Sequence, residues 1–366
     1  MKQRATASPS DLTRQIPHPG AWGSPTFAVM ALVAIDAENP EPEIIARAAD
    51  LLRRGQLVAF PTETVYGLGA NALNATAVAR IFAAKARPAW NPVIAHVSTI
   101  ADARALTASW PAIADLLATA FWPGPLTLVL PKRDIVPDIV SAGLPAVALR
   151  VPSHAVARAL IAAAGFPIAA PSANRFTELS PTTAAHVEAS LGNRVDMILN
   201  GGSADVGIES TVVDLTSDQP VILRPGVISR DMIARVVGVP VGMASDRQPE
   251  HGPRLSPGMM DRHYAPRADV WLFDAPDVRA LRQSLAQRES RAGDGGIAAM
   301  VLDWSLALPE QVRVIPMPNN PSAYARALYA TLHDLDASGS AIVAIERPPF
   351  TDAWAGIHDR LSRAAH

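Results

Sequence analysis

Apolar runs of strand length alternate with amphipathic runs of helix length from about residue 41 to residue 240, which confines this stretch to a mixed α/β architecture. Glu41 to Arg54 carries Ile44, Ile45, Ala48, Leu51 and Leu52 at helical spacing, and Gly55 stands where a helix-ending glycine belongs. The strand Leu57–Phe60 follows. A helix is predicted over Ala75–Ala84, with Val78, Ile81 and Phe82 on one face, and Pro92 opens a strand over Val93–Val97. Ala101–Phe121 reads as helical with an interruption at Pro111, and the rigid turn Trp122-Pro123-Gly124-Pro125 leads into a strand over Leu126–Leu130. A strand at Val147–Val151, a helix at His154–Ala164 and a strand at Pro167–Ala170 come next. Ser180-Pro181-Thr182-Thr183 reads as a helix N-cap with proline at the first helical position. Met197–Leu199, Ser210–Leu215 and Val221–Leu223 complete the strands.

The texture changes after residue 240. Ala244–Pro257 is polar and rich in proline and glycine, as linkers are. A second α/β pattern begins at Asp269. Its strands are expected at Val270–Phe273, Ala298–Leu302, Val312–Pro316 and Ala341–Ile345, and its helices at Val278–Gln287, Ser322–Leu335 and Trp354–Ala364. The domain reading is therefore 1–35 as a disordered extension, 36–240 as the larger domain, 241–268 as a linker and 269–366 as a small Rossmann-like domain. Met30 is an alternative start. The 366 residues and 49% hydrophobic content suffice for two packed cores. The absence of cysteine excludes disulfides, cysteine-ligated zinc, iron–sulfur clusters and a cysteine nucleophile. No apolar run reaches membrane-spanning length and no secretory signal stands at the N-terminus, so a soluble cytoplasmic protein is expected.

The polar groups gather at strand ends, where α/β proteins hold ligands. Thr62-Glu63-Thr64-Val65-Tyr66-Gly67-Leu68-Gly69 follows the first strand, and Lys85-Ala86-Arg87-Pro88 closes the second helix. The chain has only the lysines Lys2, Lys85 and Lys132, so an ammonium beside a guanidinium points to an anion site such as one for polyphosphate. The same pair also reads as a solvated helix end. Arg150 and Arg224 end strands, Ser172 and Asn174 follow one, Ser210 begins one, and His96 lies within one. Each has an ordinary alternative: a surface ion pair, an Asx turn, a core histidine. Gly67-Leu68-Gly69-Ala70-Asn71-Ala72 matches a dinucleotide fingerprint only loosely, because Arg87 stands where the ribose-binding acid belongs. No Walker A, zincin or nucleophile-elbow motif is present.

The runs Phe60 to Gly69, Lys85-x-Arg87-Pro88, Asn91-Pro92, Trp122 to Thr127, Ala170-Pro171-Ser172-Ala173-Asn174, Gly207-x-Glu209-Ser210-Thr211 and Leu223-Arg224-Pro225-Gly226 resemble, in order and spacing, the YrdC-type threonylcarbamoyl-AMP synthases. Ser256-Pro257-Gly258-Met259, Arg262-His263-Tyr264-Ala265-Pro266 and the trailing domain are similar to the long, two-domain form. The resemblance implies a twisted mixed-sheet YrdC-like catalytic domain followed by a smaller Rossmann-like one. It implies a nucleotidyltransferase that joins L-threonine, bicarbonate and ATP, with Mg2+ on the phosphates. The product would pass to a tRNA-modifying threonylcarbamoyltransferase complex. Lys85 and Arg87 are then the catalytic cations on the triphosphate. Asn91, Ala146, Ser172, Ser180, Arg224 and Tyr264 complete the ATP site, Ala146 through its backbone and Tyr264 as a lid from the linker. Thr64, His96, Arg150, Ala170 and Ser210 hold threonine. Met260-Asp261 departs from the Lys-Tyr usual in the linker. A related carbamoylation module belongs to hydrogenase-maturation proteins with cysteine-based zinc fingers, which this chain lacks. A double-stranded-RNA-binding module without catalysis is the alternative from another class. The net charge of −2 does not favour tight RNA binding, leaving weak binding at a basic surface.

Overall fold

The computed structural model describes residues 31–244, 265–274, 283, 285, 287–288, 295–302 and 308–365. The larger unit is built on strands β1 (Ala31–Ala34), β2 (Val58–Phe60), β3 (Gly67–Asn71), β4 (Ile94–His96), β5 (Leu126–Pro131), β6 (Ala146–Arg150), β7 (Ile168–Ala169), β8 (Met197–Asn200), β9 (Thr211–Asp214), β10 (Val221–Arg224) and β11 (Gly242–Met243). They form a mixed sheet in the order β1-β8-β2-β3-β7-β4-β6-β5-β9-β10-β11.

The strand period of two sorts its residues between two cores. Ala59 and Ile198 face a core closed by the helices Ala75–Lys85, Ala112–Phe121 and Ala184–Leu191. Val58, Phe60, Met197 and Leu199 face the helices Pro42–Arg53 and Ala155–Ala164 on the other side. The second unit is a parallel sheet of β12 (Asp269–Phe273), β13 (Ile297–Val301), β14 (Val312–Pro316) and β15 (Ile342–Glu346), in the order β12-β15-β13-β14. The helices Pro321–Ala337 and Ala355–Ala364 cover one face of it. That core does not stop at the unit's edge: Val65, Leu179 and Ile208 of the larger unit pack into it. Gly207 makes this approach feasible. Its φ is +82°, and a Cβ there would lie 2.4 Å from the Ala325 carbonyl oxygen of the helix Pro321–Ala337.

Several expectations are corrected. Residues 31–34 are not disordered: Ala31–Ala34 pairs in parallel with Met197–Asn200 at the sheet edge. Gly67–Asn71, where no strand is expected from the sequence, is a strand between β2 and β7, because pairing on both sides outweighs glycine's poor strand propensity. Ser180 does not cap a helix. Thr183 does, its hydroxyl accepting from the His186 amide, and the helix spans Ala184–Leu191. The 101–121 stretch breaks before Pro111 as expected, into the helices Ile100–Ala105 and Ala112–Phe121, though the gap is wider than one residue. Gly242–Met243 extends the sheet beside β10 instead of beginning the linker. Residues 245–264, with Tyr264 and the proposed lid, lie outside the described residues, as does most of the helix expected at 278–287. Among the described residues no helix is long and apolar enough to cross a membrane.

An imidazole pair joins the two units. His186 and His333 stack with ring centroids 3.8 Å apart, and His333 Nε2 lies 3.1 Å from the Ser180 carbonyl oxygen. Burial, then the neighbouring His333, pushes His186 down to about 4. Burial also lowers His333, against the opposing pull of the hydrogen bond to the Ser180 carbonyl and of Asp336, Asp334 and Glu178. The unfolded chain therefore takes up protons before the folded one does. The pair's contribution to stability is full above the unfolded value of 6.5 and is lost as pH falls towards about 4. Urea titrations of wild type and His186→Phe between those limits are expected to give a shallower acid loss for the variant. Identical slopes would remove the pair from the account.

Candidate active site

One cavity of about 520 Å³, open to solvent, lies over Ile94 and His96 of β4 and is lined also by Thr62, Thr64, Val65, Gly67, Arg87, Arg150, Ala170, Pro171, Ser172, Glu209, Ser210 and Arg224. Local chemistry fixes each wall. The Thr62 hydroxyl donates to the Val65 carbonyl at 2.6 Å and lies 2.9 Å from the Thr64 hydroxyl, folding the β2–β3 connection into a compact turn. Arg150 ends β6 beside His96, its register partner on β4. Its Nη1 donates to Thr64 Oγ1 at 2.9 Å, its Nε donates to the Gly124 carbonyl at 3.2 Å, and its Nη2 pairs with Glu63 Oε1 at 2.8 Å. The Gly124 acceptor belongs to the turn whose Trp122-Pro123 bond is cis.

The helix Ala75–Lys85 ends at Ala86, which adopts φ +51°. A non-glycine residue there costs roughly 1–2 kcal/mol, and the turn it makes carries Arg87 to the cavity. Arg87 Nη2 donates to the Pro92 carbonyl at 3.0 Å and its guanidinium lies over the Phe176 ring at 5.9 Å. Arg224, at the end of β10, donates from Nη2 to Ser210 Oγ at 3.2 Å and to the Ser210 carbonyl at 3.0 Å. Ser210 Oγ also lies 2.8 Å from Thr127 Oγ1.

The electrostatics favour anions. Arg87, Arg150 and Arg224 line the cavity, the Glu63 carboxylate is paired with Arg150, and Glu209, the one acid among the described residues of the lining, is paired with Arg360. Burial pushes the Glu63 carboxyl up, but the Arg150 guanidinium more than offsets it, leaving the group below its ordinary value. Burial, then Arg150, pushes His96 down to about 3, so it is a neutral imidazole at physiological pH. Its buried Nδ1 has no hydrogen-bond partner among the described residues.

Of the residues singled out in the sequence, Thr64, Arg87, His96, Arg150, Ala170, Ser172, Ser210 and Arg224 meet at this cavity. The others take different places. Lys85 is buried, and its Nζ donates to the carbonyl oxygens of Ser172, at 2.6 Å, and Asn174, bracing the turn behind the cavity wall. Asn91 is buried next to Arg87, its backbone oxygen accepting from Arg87 Nε at 3.4 Å. Ala146 begins β6 opposite Pro131 and does not line the cavity. Ser180 is wholly buried, its hydroxyl donating to the Glu209 carboxylate. Among the described residues no three histidine, aspartate or glutamate side chains gather as a metal site. The sequence reading missed Glu63, Glu209 and Thr127. All stand inside motifs that were quoted, as carboxylates or hydroxyls adjoining residues that were chosen. It also missed Arg360, whose signal was a charge on the apolar stripe Ile357, Leu361, Ala364.

Arginines, hydroxyls and a neutral imidazole converge on this mixed-sheet cavity, a set of groups suited to holding anionic ligands. Two family models match: one described as "Telomere recombination" over residues 50–226 and one described as "Threonylcarbamoyl-AMP synthase, C-terminal domain" over residues 228–366. The threonylcarbamoyl-AMP synthase of Pyrococcus abyssi is 38% identical, covering 92% of this chain and 98% of its own length. That of Bacillus subtilis is 40% identical, covering 91% and 96%. The crystal structure of P. abyssi Sua5 complexed with L-threonine is 37% identical, superposes with a TM-score of 0.83, and is covered to 98% by 92% of this chain. The chain belongs to the Sua5 form of the threonylcarbamoyl-AMP synthase family, and is an enzyme of nucleotidyltransferase type.

Proposed function

We propose that this protein makes L-threonylcarbamoyladenylate and pyrophosphate from L-threonine, bicarbonate and ATP, for N6-threonylcarbamoyladenosine formation in tRNA. The observation that carries this reading is the meeting of Arg87, Arg150 and Arg224 on one hydroxyl-lined cavity, in a chain of this family. The threonine complex of the P. abyssi relative supports the amino-acid half.

The amine of threonine adds to the carbon of bicarbonate, and loss of water leaves a carbamate. A carbamate oxygen then bonds to the α-phosphorus of ATP as the bond to the β-phosphate breaks, and pyrophosphate leaves. No side-chain nucleophile is needed. Arg150 takes the threonine carboxylate, with Thr64, His96, Ser210 and the Ala170 backbone around the rest of the molecule. Arg87 and Arg224 face the phosphates, with Ser172 beside them, while Lys85 and Asn91 support that wall. Ser180 and Ala146 act through their neighbours. Magnesium enters on the phosphates of the nucleotide. Residues 36–240 with the flanking strands β1 and β11 form the catalytic unit. The linker with Tyr264 closes over ATP, and the labile product passes to a threonylcarbamoyltransferase complex in the cytoplasm.

Pyrophosphate release by the full chain is expected to require both threonine and bicarbonate. Serine, lacking one methyl, should be poorer by roughly 10–200-fold in kcat/KM. Release that is indifferent to threonine would overturn the reading.

A further inference from the structure

Glu209 is where the two units meet chemically. The residue lines the cavity, and three groups hold its carboxylate. The Ser180 hydroxyl donates to Oε1, the Tyr329 hydroxyl lies 3.3 Å from Oε2, and Arg360 Nε donates to Oε2 at 2.6 Å. Two of the three come from the second unit. Burial pushes the Glu209 carboxyl up, and the guanidiniums of Arg360 and then Arg224 more than offset it, holding it below its ordinary value.

Arg360 does more than pair with a carboxylate. It is 1% exposed, at the centre of the helix Ala355–Ala364. Its Nη2 donates to the Glu209 carbonyl at 3.3 Å and its Nη1 to the Pro225 carbonyl at 3.1 Å. Nη1 also meets Asp359 Oδ2 at 2.6 Å, so the neighbouring acid orients the fork. One planar guanidinium therefore grips two chain segments at once. Glu209 immediately precedes Ser210, and Pro225 immediately follows Arg224. On the cavity side the same two segments are joined by Arg224 donating to Ser210. The approach depends on Gly356: a Cβ there would sit 2.8 Å from the Gly226 Cα.

We infer that Arg360, from the second unit, is a positioning residue for the active site: it clamps segments 207–211 and 223–226 so that Ser210 and Arg224 face the cavity together. The inference rests on the proposed reaction for its kinetic readout. It gives the second unit a part in shaping the site, distinct from any closure by the linker.

Arg360→Lys in the full chain tests it. Lysine keeps the charge opposite Glu209, but a point ammonium cannot span Glu209 Oε2, the Glu209 carbonyl and the Pro225 carbonyl. The KM for ATP should rise roughly 10-fold or more, by the loss of hydrogen bonds to a charged group, with threonine-dependent release persisting at saturation. Hydrogen exchange should quicken in 207–211 and 223–226. Arg326→Ala is the control. Arg326 reaches across the same boundary to the Asp205 carbonyl at 2.6 Å; its backbone lies against Gly207, but the side chain that Arg326→Ala removes is exposed and runs to Asp205 rather than to Glu209 or Pro225. It should leave KM and exchange unchanged. If Arg360→Lys does not fold, Glu209→Gln/Arg360→Met removes the buried charges together and should show the same KM and exchange changes. Wild-type KM and exchange in a folded Arg360 variant, or an equal KM rise in Arg326→Ala, would overturn the inference. A wild-type enzyme without threonine-dependent release would instead sink the proposed reaction, and the exchange data would still decide whether Arg360 holds the two segments.

Discussion

Arg150→Met is expected to lose threonine binding and about 3–5 kcal/mol of stability, because it strands the Glu63 carboxylate in the interior. The two side chains are 4% and 7% exposed and lie 2.8 Å apart, so a carboxylate left without its counter-ion is poorly rehydrated. The double variant Glu63→Gln/Arg150→Met removes both charges and should recover much of the stability while remaining unable to bind threonine. Urea denaturation and titration calorimetry with threonine separate the two effects. The pH dependence provides a second check. In the wild type Glu63 titrates below its unfolded value of 4.5, so its contribution is present above that value and is lost as pH falls through the lower folded one. Without Arg150, burial is opposed only by the backbone hydrogen bonds of Glu63 and Ser153, so the Glu63 pKa should rise. The ionised carboxylate then opposes folding at neutral pH, and the variant should gain stability relative to wild type as pH falls. A variant with wild-type stability and threonine affinity would mean that the buried pair is neither structural nor substrate-binding.

The architecture was readable where period and punctuation agree. The helix Pro42–Arg53 ends before Gly55 at φ +74°, and His154–Ala164 was placed to within one residue, because an apolar stripe and a helix-ending glycine gave the same answer. Gly67–Asn71 was not readable as a strand. Its glycines carry no strand signal, and its pairing partners stand nearby on one side and about a hundred residues away on the other. The cavity's inward groups were legible as a set, since hydroxyls and arginines at strand ends have few other reasons to cluster. Their division of labour was not. Lys85 and Ser180 carry the right chemistry for phosphate, yet one braces the Ser172 turn and the other holds Glu209. A motif fixes which residue types gather but not which atom of each points into the space they enclose. Arg360 was the least legible, because its partners lie 135 and 151 residues away in the chain.

Lys85→Met is expected to lower kcat/KM by roughly 30–1,000-fold, the effect of about 2–4 kcal/mol from truncating a buried, hydrogen-bonded cation. The ammonium is 1% exposed and donates to the carbonyls of Ser172 and Asn174, so its loss leaves both acceptors buried and loosens the turn that carries Ser172 to the cavity. This predicts a particular kinetic pattern. A lysine that acted only on the triphosphate would change the ATP dependence alone, whereas one that braces the turn disturbs threonine as well, because Ala170 and Ser172 flank the same proline. Both KM values should therefore rise in Lys85→Met. Burial, then the neighbouring Arg87, holds the Lys85 ammonium well below the usual lysine range. Because the folded value lies below the unfolded 10.5, the charged form costs stability at lower pH, and that penalty is relieved as pH rises through the folded value. A bound polyanion favours the charged form and raises the pKa again, so ATP affinity should fall as pH rises through the depressed value of the free enzyme. That alkaline limb should disappear in Lys85→Met. A pH profile of KM for ATP identical in the two proteins, with kcat/KM near wild type and unchanged melting, would make Lys85 a bystander. The anion site would then rest on the arginines alone.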